Sequence, residues 1–147
     1  MKRLLLPVLG YLVPTFALGF LWHLVWFKEY YDRLAMYRGD VIIPFGFLAM
    51  TIQAVLFAWT LDGLFAPRVP SVSRRALVFA IFGAVLSWTY TTLSVAAKNV
   101  MSSVPGYLLI ESAFTLAQWI LAGPLMTLAH AYVQGKKFRG GNDAPTR

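Results

Sequence analysis

The residues of this chain that are able to do chemistry are few, and they recur at helical spacing inside apolar segments. One stripe is spaced i, i+4, i+7, i+11: Ser87, Thr91, Ser94 and Lys98. A second is spaced i, i+4, i+7: Glu111, Thr115 and Gln118. A third has a spacing of four: Thr15, Gly19 and His23. Residues at these spacings share one face of an α-helix, so each stripe is predicted to face the interior of a helix bundle.

Glu111 is the residue of this set with the clearest functional potential. An ionised carboxylate inside an apolar segment is costly without a partner, and such residues mark proton, ion or ligand sites. At about 1.5 Å per residue, Glu111 and His23 are predicted at similar depth. We therefore expect Glu111 to pair with His23 or Lys98. The candidate buried polar site for a ligand or an ion comprises Glu111, His23, Lys98, Thr91, Ser87, Ser94, Thr115 and Gln118.

A second interpretation of the polar stripes is purely structural. Ser, Thr and Gln side chains commonly form hydrogen bonds between membrane helices, worth roughly 0.6 kcal/mol per pair. Small residues such as Ala80 and Gly123 favour close helix packing as well. Gln53 adds one more polar group to an otherwise apolar segment. The sequence leaves both interpretations open.

Other kinds of site are disfavoured by composition and spacing. The chain has no cysteine, which removes thiolate nucleophiles and cysteine-based metal sites. His23 and His130 are predicted near opposite membrane surfaces, so they do not share a metal or a haem. We expect no cofactor and no metal. An enzyme is the least favoured class, because it would have to work with Glu111, His23 and Lys98 alone.

Four long uncharged segments must position these residues. They are Leu4–Phe27, Val41–Leu61, Ala76–Ala97 and Ser112–Gln134. Each has the roughly 20 apolar residues that cross the hydrocarbon core of a bilayer. Hydrophobic residues make up 59% of the chain and charged residues 13%. The sequence predicts an all-α, polytopic membrane protein, a four-transmembrane-helix bundle over residues 1–135, followed by a flexible basic cytoplasmic tail at 136–147.

The first apolar segment also has features of a signal peptide. Met1-Lys2-Arg3 precedes it, and Ala17-Leu18-Gly19 is compatible with a cleavage site. The apolar run continues to Phe27, however, which is longer than the usual signal core. A retained first span is therefore expected.

The first connection is predicted to form an amphipathic helix. Its apolar positions recur at helical spacing: Phe27, Tyr30, Tyr31, Leu34 and Tyr37. Gly39 is the expected stop. Because Tyr is favoured at the membrane interface, we interpret this segment as an interfacial helix after the first span. A helix that binds a partner protein would show the same pattern.

Four prolines and one Asp-Gly pair predict where the helices begin and end. Pro44 and Pro105 suit the first turns of the second and fourth spans. Pro67 and Pro70 are predicted to lie in a loop that connects two spans, over residues 66–73. Asp62-Gly63 is interpreted as a helix end.

Basic residues predict the orientation. Nine of the 13 lysines and arginines flank the termini and the middle connection, and four flank the other side. The positive-inside rule therefore places both termini in the cytoplasm of a bacterial cell, with the chain in its inner membrane. The basic side is expected to attract anionic lipids. Nucleic acid is not expected as a partner, because the charges flank membrane spans.

A short set of residues resembles a known group of proteins. Gly19-Phe20-Leu21-Trp22-His23 and Phe27-Lys28 close the first span, Asn99 follows the third, and Glu111 enters the fourth. This pattern is similar to uncharacterised four-span bacterial inner-membrane proteins catalogued as a domain of unknown function. His23 stands where that family more often has an aromatic residue. The resemblance implies four spans but no activity.

Two functional hypotheses follow from the sequence. The favoured one is an accessory, scaffold or lipid-interacting component with no catalysis of its own, whose further partners are other membrane proteins or a second copy of the chain. The alternative is a subunit of a small oligomeric transporter or channel that uses Glu111 and the polar layer in the outer leaflet. A cavity within this polar layer would favour the transporter or channel, and a filled interior would favour the accessory component.

Overall fold

The computed structural model describes residues 2–37 and 40–141, with side chains for 3–37 and 40–135. Its elements are all helical: Lys2–Leu21, Trp22–Trp26, Lys28–Leu34, Ile43–Thr60, Leu61–Phe65, Ala66–Arg68, Val72–Ser87, Trp88–Leu93, Ser94–Lys98 and Val104–Gly141. Four continuous helices are long and apolar enough to cross a membrane: Arg3–Trp26, Ile43–Arg68, Val72–Lys98 and Val104–Gly135, here the first to fourth spans. The predicted class, an all-α multi-pass membrane protein with four spans, is confirmed.

The helix ends differ from the expected ones around the middle connection. The helix continues through Asp62 and Gly63 to Arg68, so the expected end at this pair is wrong. Pro67 lies in the last turn of this continuous helix, one residue before it ends at Arg68. Ser71 then caps the third span by accepting a hydrogen bond from the Arg74 N–H. Only residues 69–71 separate the two helices.

Three of the spans contain a π-helical turn, in which backbone N–H groups reach back five residues. These turns are Trp22–Trp26, Leu61–Phe65 and Trp88–Leu93. Each holds about one residue more than an α-turn, and such turns are frequent at functional sites. They carry His23, Asp62 and Thr91 respectively.

The half of the bundle near the 69–71 connection, called the Arg68 half, is filled by an apolar core. All four spans contribute to it: Tyr11, Ala54, Phe57, Ala58, Leu61, Phe65, Phe79, Trp119, Ala122 and Met126. A Cβ at Gly83 would overlap the Trp119 ring, and one at Gly123 would press on Ala80. Small residues therefore let the helices pack closely in this half, as is common between membrane helices.

The opposite half, called the Lys28 half, is closed at its end by the helix Lys28–Leu34. Tyr31 and Leu34 are buried there with Tyr107 of the fourth span. The N–H and hydroxyl of Ser102 donate to the carbonyls of Leu34 and Arg33. The predicted amphipathic helix therefore exists and packs on the bundle, while its depth in the headgroup layer stays a prediction. It ends at Leu34, and the expected stop at Gly39 lies outside the described residues.

The fourth helix continues past the expected domain boundary at residue 135. Its backbone is helical as far as Gly141. Residues 142–147 of the expected tail lie outside the described residues. A flexible tail therefore stays a prediction.

Candidate functional site

The polar stripes surround a cavity of about 370 Å³ in the Lys28 half. Its polar lining comes from all four spans: Tyr11, Thr15, His23, Gln53, Ser87, Tyr90, Thr91, Glu111 and Gln118. Apolar and aromatic side chains form most of the remaining wall, among them Phe16, Phe20, Leu24, Met50 and Phe114. The cavity is therefore apolar along its sides and polar at defined points, as ligand sites usually are.

One wall of the cavity is open. Residues 41–49 at the start of the second span are all exposed, on every face of the helix. Ile43 and Gly46 of this stretch also line the cavity, and a Cβ added at Gly46 would meet nothing. The cavity is thus accessible alongside the second span from the surface that faces lipid.

At the end of the cavity beside the Lys28–Leu34 helix, two side chains contact the Glu111 carboxyl group. Its Oε1 lies 3.1 Å from Nε2 of His23 and accepts a hydrogen bond of 2.7 Å from the Tyr31 hydroxyl. Glu111 is only 6% exposed. Nδ1 of His23 lies 2.9 Å from the carbonyl oxygen of Gly19. Because a carbonyl only accepts, Nδ1 carries a proton, and the ring is fixed in orientation from one side.

A hydrogen-bonded belt through all four spans forms the floor of the cavity. Gln118 donates to the Tyr11 hydroxyl (3.0 Å), and Tyr11 donates to the Gln53 carbonyl (3.1 Å). The Gln53 amide donates in turn to the Tyr90 hydroxyl at 3.2 Å. Below this belt lies the apolar core of the Arg68 half. Thr15 borders the cavity beside the belt, and its buried hydroxyl has no hydrogen-bond partner.

The eight predicted site residues divide into two groups. Five line the cavity: Glu111, His23, Thr91, Ser87 and Gln118. Three do not: Thr115, Ser94 and Lys98. Thr115 faces a smaller pocket beside Trp88, between the third and fourth spans. Ser94 is half-buried away from the cavity, and Lys98 is exposed.

The π-helical turn Trp88–Leu93 explains why the polar stripe of the third span, Ser87 to Lys98, divides. Ser87 directly precedes this turn, Thr91 lies within it, and both face the cavity. The extra residue of the turn rotates everything that follows it relative to a regular α-helix. Ser94 and Lys98 therefore leave the face that α-helical spacing assigns to them. Of the two expected partners of Glu111, His23 is the one that pairs with it, and Lys98 does not.

The sequence interpretation missed four tyrosines of the site. Tyr11 and Tyr90 belong to the belt, and their position in the middle of apolar spans, away from the interfaces that Tyr prefers, is the signal that could have indicated this. Tyr31 and Tyr37 were assigned to the amphipathic segment. Their rings stack with centroids 5.1 Å apart. No spacing rule predicts that Tyr31 reaches Glu111, because this contact crosses 80 positions of the chain.

Tyr31 and Tyr37 are held in their neutral form. Burial, and after it the charge of Glu111, raises the pKa of both phenols above the ordinary value. Each therefore keeps its proton, and Tyr31 remains a hydrogen-bond donor to Glu111.

A smaller pocket of about 200 Å³ lies outside the first one. Its lining includes Lys28 and Asp32, which form an ion pair, and Tyr31. His23 and Tyr37 line both spaces. These two side chains thus separate the cavity from a polar vestibule at the end of the bundle.

No family model, curated protein or solved structure matches this chain. The resemblance to the four-span family of unknown function therefore stays a prediction. Within residues 2–37 and 40–141, no three His, Cys, Asp or Glu side chains are grouped so that they could hold a metal ion.

A second His–carboxylate pair lies in the Arg68 half. Nε2 of His130 is 2.8 Å from Oδ1 of Asp62, and Gln134 donates to the same oxygen at 3.2 Å. His130 is 2% exposed, and its Nδ1 has no partner. Asp62 sits on the π-helical turn Leu61–Phe65. The apolar core separates this pair from Glu111, so the two pairs are independent sites.

Proposed function

We propose that this chain is a small integral inner-membrane protein, with both termini in the cytoplasm, that acts as an accessory, scaffold or lipid-interacting component with no catalysis of its own. Its specific role in this proposal is to hold one amphipathic molecule, taken from the outer leaflet, in the cavity beside Glu111. The observation that carries the proposal is the cavity itself, about 370 Å³ with apolar sides and a polar end. That size falls within the range of roughly 300–1,000 Å³ of small-molecule sites.

The shape of the cavity suits a molecule with a polar head and an apolar body. The head would lie beside Glu111 and His23, where hydrogen-bonding atoms converge. The body would lie between aromatic and aliphatic residues such as Phe16, Phe20 and Met50. An apolar ligand reaches such a site through the membrane, and the exposed start of the second span supplies an entrance.

The closed Arg68 half favours binding over conduction. Below the belt, Phe57, Phe79 and Trp119 are buried against one another, with ring centroids 4.8–6.3 Å apart. A channel would need water or polar groups through this region. The packed aromatic core offers neither.

The orientation and the lipid contacts of this proposal rest on charge. The nine-to-four division of basic residues supports cytoplasmic termini. The cavity then opens to the outer leaflet, and the basic end meets anionic lipids of the inner leaflet. Other membrane proteins or a second copy of the chain remain further proposed partners.

Photo-crosslinking tests the proposal. The protein is reconstituted in nanodiscs that contain a phospholipid with a diazirine in its acyl chain, and the labelled peptides are mapped. We expect labelling at cavity residues such as Phe16 and Met50 as well as at lipid-facing ones. Gly46→Trp should abolish the cavity labelling, because Gly46 lines the cavity and has open space at its Cβ.

The neighbouring position supplies the matched control. Phe45 is 69% exposed and points away from the cavity lining, so Phe45→Trp should leave cavity labelling unchanged. Labelling confined to lipid-facing residues in all three proteins would overturn the proposal.

A transporter subunit is the second candidate, and the His23–Glu111 pair favours it because titratable pairs inside membranes often handle protons or ions. Transport would require the Arg68 half to open, which a single chain with a packed core disfavours. Uptake by proteoliposomes across about pH 5 to 8, where His titrates, separates the two. A signal that depends on pH and is lost in Glu111→Gln would support transport and contradict the accessory role.

A further inference from the structure

We infer that the molecule held in the cavity is a lipophilic organic cation, and that it binds by replacing the single proton shared by His23 and Glu111. This inference rests on the proposed function, because it names the ligand class of the same cavity.

The hydrogen bonds of His23 define how many protons the pair holds. Nδ1 keeps one proton for the Gly19 carbonyl. Nε2 and Oε1 of Glu111 are 3.1 Å apart, and a hydrogen bond between them requires one more proton, carried by one atom or the other. With that proton the pair is neutral overall, either as a neutral imidazole and a carboxylic acid or as an imidazolium and a carboxylate. Without it the pair carries one negative charge.

A negative charge at this position requires a cation. Glu111 is 6% exposed and lies among aromatic rings, where an unpaired carboxylate is costly. A cation in the cavity would remove that cost. The exchange balances: one monovalent cation enters, one proton leaves the pair, and no covalent bond changes.

The lining of the cavity selects for a cation with apolar groups. Aromatic rings form a large part of the cavity wall: Tyr11, Phe16, Phe20, Tyr37, Tyr90 and Phe114. The faces of such rings attract organic cations electrostatically. Among the described residues that line the cavity, Glu111 is the only carboxyl group, and Lys and Arg are absent. A ligand whose only charge is negative would therefore face a carboxylate with no permanent cation beside it.

The other titratable groups near the pair do not compete for this proton. Among the described residues, the titratable groups that face the pair or border the two spaces are these: Tyr11, Tyr31, Tyr37, Tyr90 and Tyr107, together with the Lys28–Asp32 pair of the vestibule. The phenols of Tyr31 and Tyr37 stay protonated, since burial raises the pKa of each. Lys28 and Asp32 neutralise each other. The shared proton is thus the one that a cation can displace.

A pair of probes with the same size and opposite charge tests this inference. Tetraphenylphosphonium and tetraphenylborate are titrated into the full chain in nanodiscs of a neutral phospholipid. After subtraction of partitioning into protein-free nanodiscs, we expect the phosphonium to bind and the borate not to bind. The dissociation constant for the phosphonium should fall about tenfold for each unit of rising pH while the pair holds its proton. Calorimetry in buffers of different ionisation enthalpy should show about one proton released per cation.

Two variants report on the site. Glu111→Gln should lose both phosphonium binding and proton release, because Gln supplies no charge. Asp62→Asn, at the carboxylate paired with His130 in the other half, should leave both unchanged. Intact folding of each variant is checked by its melting temperature.

The outcomes separate the inference from the proposed function. Equal binding of both probes, or phosphonium binding with no proton release, would overturn the cation–proton exchange. If acyl-chain labelling of the cavity persists in that case, the lipid-binding role stands. Failure of both probes together with loss of cavity labelling would overturn both.

Discussion

Nε2 of His23 lies 3.1 Å from Oε1 of Glu111, although 88 positions separate the two residues in the chain. The first span presents His23 from a π-helical turn, and the Lys28–Leu34 helix adds the Tyr31 hydroxyl to the same oxygen. One buried carboxylate is therefore satisfied by two elements that meet only in the folded bundle. The contact thus places a carboxyl group in a fixed position on the wall of the cavity.

The first prediction concerns substitutions of Glu111. Glu111→Leu leaves the Tyr31 hydroxyl and Nε2 of His23 without their partner, at a cost of about 1–3 kcal/mol for the unsatisfied groups. Glu111→Gln retains a carbonyl for Tyr31 and an N–H for His23, so it should unfold at a higher temperature than the Leu variant. Thermal unfolding in mild detergent measures the difference. Equal melting temperatures would show that Glu111 is not held by these contacts.

A second prediction uses the pKa of Tyr31. Because burial raises this pKa in the folded state, the neutral phenol stabilises the fold. The stabilisation is complete below the unfolded pKa of about 10 and is lost as pH rises above it. The stability of the wild type should therefore fall more steeply from about pH 9 to 11 than that of Tyr31→Phe, because the variant has no phenol at position 31 to titrate. Melting temperatures over this range provide the measurement, and parallel curves would contradict the prediction.

The third prediction concerns the close helix contacts of the Arg68 half. Gly83→Ala places a Cβ against the Trp119 ring and should lower the free energy of unfolding by about 1–3 kcal/mol through overpacking. Gly63→Ala is the matched control, because a Cβ there meets nothing and alanine favours helix by about 0.5–1 kcal/mol over glycine. A Gly83 variant as stable as the Gly63 variant would indicate looser packing at Trp119.

The fourth prediction tests the orientation. Single cysteines at Asp40, Val100 and Ser103 should react with an impermeant thiol reagent in intact cells, and one at Ser73 should not. Val100 is 93% exposed, and the other three positions are exposed too, so failure to react reports on the side of the membrane. The chain has no native cysteine to interfere. Reaction at Ser73 alone would reverse the topology.

Local properties of the sequence were sufficient for the architecture. Four apolar runs of membrane-spanning length predict four helices because a bilayer requires every backbone polar group to be satisfied within its own segment. Helical spacing likewise predicted that Thr15, Gly19 and His23 share a face, and the structure places all three on the cavity. Pro44 marks the start of the second span in the sequence and in the structure.

Tertiary structure alone decided which polar groups meet. Helical spacing assigned Ser94 and Lys98 to the same face as Ser87. The π-helical turn Trp88–Leu93 lies between Ser87 and Ser94 and rotates the residues that follow it away from that face. A regular period of 3.6 residues does not predict such an insertion. The sequence offered Lys98 and His23 equally as partners of Glu111, and the packing of the first span on the fourth selected His23. The open cavity is likewise a product of packing, because it exists where the start of the second span stands apart from the other helices. The order of residues along one helix determines its faces, whereas the distances between helices depend on how all of their side chains fit together.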